Sequence, residues 1–165
     1  MRRKQKRIVA GAVAGFIGGV IGSFVMNEFQ EIASEIARKQ QPKQQQSQEE
    51  SEDATMKTAD KVSQAVLHRG LSKDEKKKAG PVVHYAFGGS MGALYGALSA
   101  VLPETTAGFG TAFATALFAV ADEVAVPALG LSAPPTQTPL AGHAKALASH
   151  LVWGTTTEAV RRIAA

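Results

Sequence analysis

The chain has 165 residues, a formal net charge of +4 and no cysteine, which fits one domain and excludes disulfides and thiolate metal sites. Of its 32 charged residues, 5 lie in the first seven positions and 19 in residues 31–80, so the other 108 positions carry only 8. A soluble domain needs charge along the outer face of each surface helix, so this distribution favours helices built for lipid over an ordinary soluble domain.

Residues 1–30 are predicted to form a basic tail and a first transmembrane helix. The apolar run at residues 8–27 has no formal charge and is about as long as a hydrocarbon core of roughly 30 Å requires. No small-residue cleavage site follows it directly, which favours an uncleaved anchor over a removed signal peptide. Glycines recur here at steps of four, three and four and predict one face for helix packing: Gly11, Gly15, Gly18 and Gly22.

Residues 31–80 form a polar, partly disordered loop in this interpretation. Residues 40–53 are rich in Gln and acidic residues and have almost nothing apolar to bury, which is typical of a disordered linker. Residues 54–69 place apolar side chains at helical spacing between charges, which predicts a short amphipathic helix ended by Gly70. This helix either lies on the membrane surface or caps the bundle, and the sequence names no protein partner for the loop.

Residues 81–165 are predicted to form a three-helix membrane region, so the fold class is all-α, a small polytopic membrane bundle of about four transmembrane helices. The second apolar run covers residues 79–103, and the third begins at Thr105 and extends through Asp122 and Glu123 to near Pro127. The fourth, around residues 142–163, is the most polar of the four. In the second run, a repeat of four predicts a further packing face: Gly88, Gly92 and Gly96.

Asp122 and Glu123 are the most informative residues, because they stand side by side in an otherwise apolar run. Asp122 continues a stripe of small residues expected to face inward: Gly108, Ala112, Thr115 and Ala119. A carboxylate at membrane depth costs at least a few kcal/mol, so partners or protonation are expected. The candidate partners on neighbouring helices are His84, Tyr95 and His150. The alternative is that the third span ends near Ala121 and leaves both carboxylates solvated at the interface.

The last helix contributes the remaining polar candidates. Glu158 precedes Arg161 and Arg162 by three and four positions, which is typical of a local ion pair at a helix end. Glu158 and Arg161 are also candidates for the polar interior, whereas His143 is expected at the interface. The fixed spacing of known metal motifs and the context of a nucleophile are both absent, so we expect no metal, no cofactor and no enzymatic activity. The excess positive charge sits in a short tail that suits anionic lipid rather than nucleic acid.

Three segments resemble the YagU-like family of bacterial inner-membrane proteins: "VVHYAFGGSMGALYGAL", "GFGTAFATALFAVADEVAVPALGL" and "GHAKALASHLVWGTTTEAVRRIA". The matching positions are Gly92, Leu94, Tyr95, Phe109, Gly110, Pro127, Gly130, His143, His150, Val152, Trp153, Glu158, Arg161 and Arg162. The chain departs from the pattern in residues 31–79, at Ser149 in place of a glycine, and at "ADE" in place of a histidine. The resemblance implies a multi-pass protein of the bacterial inner membrane and no settled activity.

Two functions remain open from the sequence. The first is a pH-linked proton or small-solute pathway or sensor built on the intramembrane carboxylates and histidines. The alternative is a non-catalytic structural or adaptor protein that forms homo-oligomers through its glycine faces and binds a partner through its loop. An even number of spans puts both termini on one side, and the short basic tails favour the cytoplasm.

Overall fold

The structure, a computed structural model, describes residues 2–40 and 53–164, and all the regular secondary structure in these two ranges is helical. The α-helices are α1 (Arg2–Gln40), α2 (Ala54–Leu67), α3 (Lys73–Ser99), α4 (Thr111–Val120), α5 (Val126–Ala128) and α6 (Leu140–Ala164). A π-helical segment, Ala121–Ala125, joins α4 to α5, and short 3-10 turns lie at Pro103–Thr106 and Pro135–Gln137. The all-α prediction is therefore confirmed.

Of the four predicted spans, two helices are long and apolar enough to cross a membrane, Arg2–Lys39 and Thr111–Ala128. The second includes the π-helical segment and extends through Asp122 and Glu123 as the sequence predicts. Of the predicted disordered linker, residues 40–53, Gln40 ends α1 and Asp53 caps α2, and residues 41–52 lie outside the described part of the chain.

Two boundaries differ from the sequence analysis. α1 continues to Gln40, beyond the predicted boundary at residue 30, because its last turns are rich in helix-forming residues and end in Arg38 and Lys39, where cations suit the helix dipole. α3 begins at Lys73, well before the predicted membrane region. Its start is fixed by a capping box in which the Glu75 N–H donates to Ser72 Oγ at 3.3 Å and the Ser72 N–H donates to Glu75 Oε2 at 2.9 Å.

The four long helical segments alternate in direction. α1 and the α4–α5 segment run one way, whereas α3 and α6 run the other way, as the residue pairs in contact show: Gly11 with Gly96, Gly19 with Gly88, Gly22 with Trp153, and Ala114 with Gly154. Both described termini therefore lie at the same end of the bundle. We call this the terminal end, and we call the opposite end, where α2 lies, the loop end.

Backbone contact between α1 and α3 is the closest packing in the bundle. A Cβ atom added to Gly15 would lie 3.0 Å from the Cα of Gly96, and one added to Gly92 would lie 2.7 Å from the Cα of Gly19. Real Cβ atoms are almost never found at such distances from backbone, so only glycine fits at these positions. Helices in lipid associate through this kind of close packing, because the hydrophobic effect does not drive them together there.

The structure divides the predicted glycine face of α1 between two partners. Gly11 and Gly15 face α3, and Gly19, which was outside the predicted set, completes that series. Gly18 and Gly22 face α6, where a Cβ atom would lie 2.7 Å from the Thr157 carbonyl oxygen and from Thr157 Oγ1, respectively. The two series differ because two helices pack against α1 from adjoining directions, which a single stripe does not describe.

Hydrogen bonds connect α6 to α1, and their acceptors are backbone carbonyls of glycines on α1. Trp153 Nε1 donates to the carbonyl of Gly19 at 3.1 Å, and Thr157 Oγ1 donates to the carbonyl of Gly18 at 3.4 Å. The Trp153 ring is buried together with Met26 and Ala114 in a small core. This contact fixes the indole beside the middle of the bundle.

α2 caps the loop end. Its buried face, Ala59 and Ser63, lies towards α3, and Lys61 Nζ donates to the carbonyl of Leu129 at 2.6 Å in the turn after α5. The helix ends at Leu67, because His68 adopts a left-handed conformation at φ 53°, two residues before the predicted stop at Gly70.

Two carboxylates tie α2 and its following turn to α3. Asp60 accepts a hydrogen bond from the Leu71 N–H at 2.6 Å and forms an ion pair with Lys76 at 3.2 Å. The hydrogen bond from Leu71 is the main cause that lowers the pKa of Asp60. Hydrogen bonds from the Arg69 guanidinium and from Ser72 lower the pKa of Glu75 to about 2. Both groups are therefore charged at neutral pH and hold the cap in place.

A glycine-to-alanine pair on α3 tests the backbone contact. Gly92→Ala pushes a methyl group into α1 backbone, so we expect it to lower the free energy of unfolding by about 1–3 kcal/mol. Gly89→Ala meets only side-chain atoms of Phe16 and Val20, which can move, and alanine also favours the helix. We expect it to be neutral or slightly stabilising. Thermal unfolding of both variants in the same detergent measures the difference, and equal loss of stability would contradict the contact.

Candidate functional site

A cavity of about 640 Å³ lies in the loop-end half of the bundle. Residues from α1, α2, α3, the π-helical segment and α6 line it, so it is enclosed by every main element of the fold. It begins where the glycine series ends. One helical step beyond Gly19, Ser23 packs against Gly88, and Ser23 and His84 both line the cavity.

Asp122 reaches this cavity from the π-helical segment. Its side chain is 40% exposed, and Asp122 Oδ2 lies 3.8 Å from Nδ1 of His150 on α6. That distance is too long for a hydrogen bond. His150 Nδ1 is instead 3.0 Å from the carbonyl of Ala146, an acceptor to which only a protonated nitrogen donates. Among the residues that the structure describes, none donates a hydrogen bond to the Asp122 carboxylate.

The π-helical segment accounts for the direction of Asp122. A π turn takes one more residue per hydrogen-bonded turn than an α turn, so it rotates the residues after it relative to those before it. The predicted inward stripe of this helix is wrong, because Ala112, Thr115 and Ala119 are exposed, whereas Ala114 and Ala121 are buried. Asp122 faces the cavity beside Ala121, although it does not continue the stripe from which its direction was predicted.

His84 contributes a second polar group without a partner. Its Nε2 atom is buried and makes no hydrogen bond within the described residues. A buried polar atom of this kind costs free energy unless a ligand or water satisfies it. Asp122 and His150 line the same cavity as His84, and Asp122 Oδ2 lies 3.8 Å from Nδ1 of His150, so the three residues form one group although they come from three helical segments. This group is called the Asp–His cluster below.

Glu123 has a different environment from its neighbour. Its carboxylate lies 2.7 Å from Nδ1 of His143, and Nε2 of that imidazole lies 3.1 Å from the carbonyl of Pro135. Successive residues on a helix point in different directions, and here one carboxylate faces the cavity while the other faces the loop before α6. The two carboxylates therefore have different surroundings, and His143 is a partner of Glu123 rather than a cavity residue.

A second polar cluster lies in the terminal-end half, around Glu158. The Glu158 side chain is 0% exposed and accepts four hydrogen bonds. Tyr95 of α3 donates its hydroxyl at 2.7 Å, Arg161 donates Nε and Nη2 at 2.6 and 2.9 Å, and Arg162 donates Nε at 2.6 Å. Every acceptor of the carboxylate is thus engaged, so this cluster connects α3 to α6 and leaves no oxygen for a ligand.

The loop before α4 completes the Glu158 cluster. Gly108, Phe109 and Gly110 all have positive φ angles of 61°, 58° and 85°. For phenylalanine this conformation is strained, and it persists only where surrounding contacts hold it. The Arg162 guanidinium lies 4.7 Å above the Phe109 ring, and a Cβ atom on Gly110 would lie 2.6 Å from the Gly154 carbonyl oxygen. The strain is therefore offset by contacts with α6.

The structure brings the predicted polar residues together in two groups instead of one. His84, Asp122 and His150 lie at the cavity, whereas Tyr95, Glu158 and Arg161 form the saturated cluster. Sequence analysis named Phe109 only as a position of the family resemblance and assigned it no role, although the flanking glycines in "GFG" indicate a turn with positive φ. No group of three or more His, Asp or Glu residues in the described ranges is placed to hold a metal ion.

Together, fold and site define an all-helical bundle with two helices long and apolar enough to span a membrane and with an interior cavity that carries titratable groups. The chain belongs to the DUF1440 family, described as proteins of unknown function, whose family model matches residues 42–159. No curated protein and no solved structure matches the chain. The matched region contains the Asp–His cluster together with Tyr95 and Glu158, and it ends before Arg161 and Arg162.

The two tyrosines of the chain offer a matched test of the Glu158 cluster. Tyr95→Phe removes a short hydrogen bond to a buried carboxylate, so we expect a loss of about 1–3 kcal/mol of stability. Tyr85→Phe removes a hydroxyl that accepts one long hydrogen bond, from Asn27 Nδ2 at 3.4 Å. We therefore expect the free energy of unfolding to fall by less than about 0.5 kcal/mol. Chemical or thermal unfolding in detergent measures both, and equal effects would show that the Tyr95 hydroxyl is not engaged.

Proposed function

We propose that the protein is a multi-pass protein of the bacterial inner membrane whose Asp–His cluster makes the cavity a pH-linked site in a solute pathway or sensor. The membrane setting is supported by the large apolar side chains that point away from the bundle. They follow the outer faces of three helical segments: Val9, Val13, Phe16, Ile17, Ile21 and Phe24 on α1, Val82 and Leu94 on α3, and Val120 and Val124 before α5. Exposed apolar surface of this extent is unfavourable in water and suits lipid.

In this proposal α1, α3, the α4–α5 segment and α6 are the four spans. α1 is about 58 Å long at 1.5 Å per residue, so it also reaches well beyond a hydrocarbon core of roughly 30 Å. Its extension and α2 belong to the loop end outside the lipid. The resemblance to the YagU-like inner-membrane proteins supports the same setting.

The distribution of cations supports cytoplasmic termini. The basic tail of α1 and the last turn of α6 lie at the terminal end and carry Arg2, Arg3, Lys4, Lys6, Arg7, Arg161 and Arg162. Cations close to span ends favour the cytoplasmic side. The loop end also carries many lysines, but it balances them with carboxylates such as Asp60 and Glu75.

The absence of native cysteine allows a direct test of this topology. Lys73→Cys lies exposed at the start of α3, and Ile163→Cys lies exposed at the end of α6. With a membrane-impermeant maleimide on intact cells, we expect Lys73→Cys to be labelled and Ile163→Cys to be labelled only after permeabilisation. The reverse pattern would invert the orientation, and equal labelling of both sites would contradict the multi-pass arrangement.

The observation that carries the pH-linked function is the Asp–His cluster at a cavity between lipid-facing helices. Intramembrane carboxylates often mark ion or solute paths, and histidine changes charge near physiological pH. The other charged residues at the cavity are Asp53 and Lys77 on its loop-end rim, and α1 contributes only uncharged polar groups there, such as Asn27. A π-helical turn at Asp122 adds support, because such turns occur frequently at functional sites.

The structural or adaptor hypothesis has less support from the geometry. It relied on glycine faces to drive oligomers, but the glycines of α1 and α3 face other helices of the same chain. A homo-oligomer would therefore have to use a different surface. We accordingly keep the pH-linked site as the proposed function.

Trp153 is the only tryptophan and lines the cavity, so its fluorescence reports on the Asp–His cluster. For the full-length protein in phosphatidylcholine nanodiscs, we expect a change in emission between about pH 8 and pH 5, because histidine side chains in general change charge near physiological pH. The double variant His84→Gln with His150→Gln removes most of the change. His143→Gln, outside the cavity, retains it.

The result that would reject the proposal is equally direct. If the double variant keeps the full pH-dependent change, or if the wild-type protein shows none, the Asp–His cluster does not titrate and the pH-linked function is wrong.

A further inference from the structure

We infer that the cavity binds a small organic molecule that carries a primary ammonium group on an apolar body, with the ammonium held by Asp122 and the body against the apolar wall. This inference rests on the proposed function, because it names the class of ligand for the same cavity. Its basis is the set of polar groups that the fold leaves without partners there, together with the shape and chemistry of the walls.

The unpartnered groups at the cavity are mainly acceptors. The Asp122 carboxylate receives no hydrogen bond from any described residue, and His84 Nε2 offers a lone pair when the other ring nitrogen carries the proton. His150 Nδ1 is directed at the Ala146 carbonyl rather than at Asp122. A ligand with several N–H donors satisfies such a set, whereas a carboxylate or phosphate would meet acceptors and like charge.

Charge leads to the same class of ligand. With neutral histidines, Asp122 is the only charged group of the Asp–His cluster, and an uncompensated carboxylate in a bundle surrounded by lipid is costly. Asp53 and Lys77 at the rim carry opposite charges, so they do not alter this balance greatly. A bound cation compensates the carboxylate through a charge-assisted hydrogen bond, which is stronger than a neutral one.

The walls of the cavity define the rest of the ligand. Apolar side chains provide most of the lining around the polar cluster, among them Met26, Phe87, Leu117, Val126, Leu131 and Trp153. Ligand sites of this kind have volumes of several hundred Å³ and combine apolar walls with a few placed polar groups. The volume of about 640 Å³ accommodates an alkyl or aryl amine with room for water.

Binding of n-hexylamine, followed by Trp153 fluorescence at one fixed neutral pH, tests the inference on the full-length protein in phosphatidylcholine nanodiscs. The comparison ligands are 1-hexanol and hexanoate, which keep the chain length and replace the cation by a neutral group or an anion. We expect saturable binding of hexylamine that is about tenfold tighter than that of hexanol, and no binding of hexanoate. Equal binding of hexylamine and hexanol, or no saturation by hexylamine, would overturn the inference.

Neighbouring carboxylates provide the matched variants. Asp122→Asn keeps the size of the side chain and removes its charge, so we expect it to weaken hexylamine binding about tenfold and to leave hexanol binding unchanged. Glu123→Gln alters the carboxylate that pairs with His143 outside the cavity, and we expect wild-type binding. An unchanged affinity in Asp122→Asn would overturn the inference. If that variant does not fold, the ligand series on the wild-type protein still decides.

A primary ammonium group also occurs in a lipid headgroup. Adding phosphatidylethanolamine to the nanodiscs distinguishes the sources, because it competes with hexylamine if the headgroup enters the cavity and leaves the affinity unchanged if the ligand is a free amine. Either outcome supports an ammonium site. Loss of amine binding with an intact pH-dependent change in Trp153 emission would overturn only the ligand class, whereas loss of both would reject the proposed function as well.

Discussion

Backbone contact between α1 and α3 is the constraint on which the remaining structure depends. The facing pairs Gly11 with Gly96, Gly15 with Gly92 and Gly19 with Gly88 bring the two helix axes together without side chains between them. α6 can then reach both helices, and its Trp153 donates a hydrogen bond to the Gly19 carbonyl. Beyond the last of these pairs, Ser23, His84 and Gly88 line the cavity. The cavity therefore lies next to the end of the glycine series.

The two polar clusters differ in how completely their hydrogen-bonding groups are paired within the protein. Around Glu158 the carboxylate is fully buried and fully hydrogen-bonded, which is the condition under which a buried charge is tolerated. At the cavity, Asp122 and His84 are partly buried and keep unused hydrogen-bonding capacity. Polar groups without a hydrogen-bond partner in the protein are expected at functional sites, because a ligand or water supplies the missing partner. This contrast, rather than the number of charged groups, separates the candidate site from the structural cluster.

Much of the helical organisation was predictable because it depends on composition and short-range spacing. The charge-free run from Ile8 and the continuation of the third helix past Asp122 follow from residue types along the chain. Gly19 was missed because a pattern in one sequence does not show that two different helices pack against α1. The start of α3 at Lys73 was also missed, although Ser72 and Glu75 carried the signature of a capping box.

The candidate site was harder to predict for reasons of geometry. That His84, Asp122 and His150 belong together followed from their placement on apolar helices, but Tyr95 was assigned to the same group and instead binds Glu158. A helical wheel assumes a constant angle per residue, and the π-helical segment breaks this assumption at Asp122. Tertiary partners such as the Gly19 carbonyl that engages Trp153 leave no trace in the sequence, because any residue type supplies a backbone carbonyl.

The proposed lipid setting bears on the chemistry of the cavity, because it changes how strongly Asp122 interacts with cations and protons. In water, an unpartnered carboxylate is solvated at little cost and attracts cations weakly, because the high dielectric constant screens it. Within a bundle whose outer faces are apolar, the same carboxylate is less well solvated, and its interaction with a cation or a proton is stronger. Under the proposed function, a modest cavity with one carboxylate and two imidazoles responds to pH and to cationic ligands through the same residue, Asp122. Protonation of the histidines places positive charge beside Asp122 and compensates its negative charge. Protonation therefore competes with the binding of an ammonium ligand to Asp122.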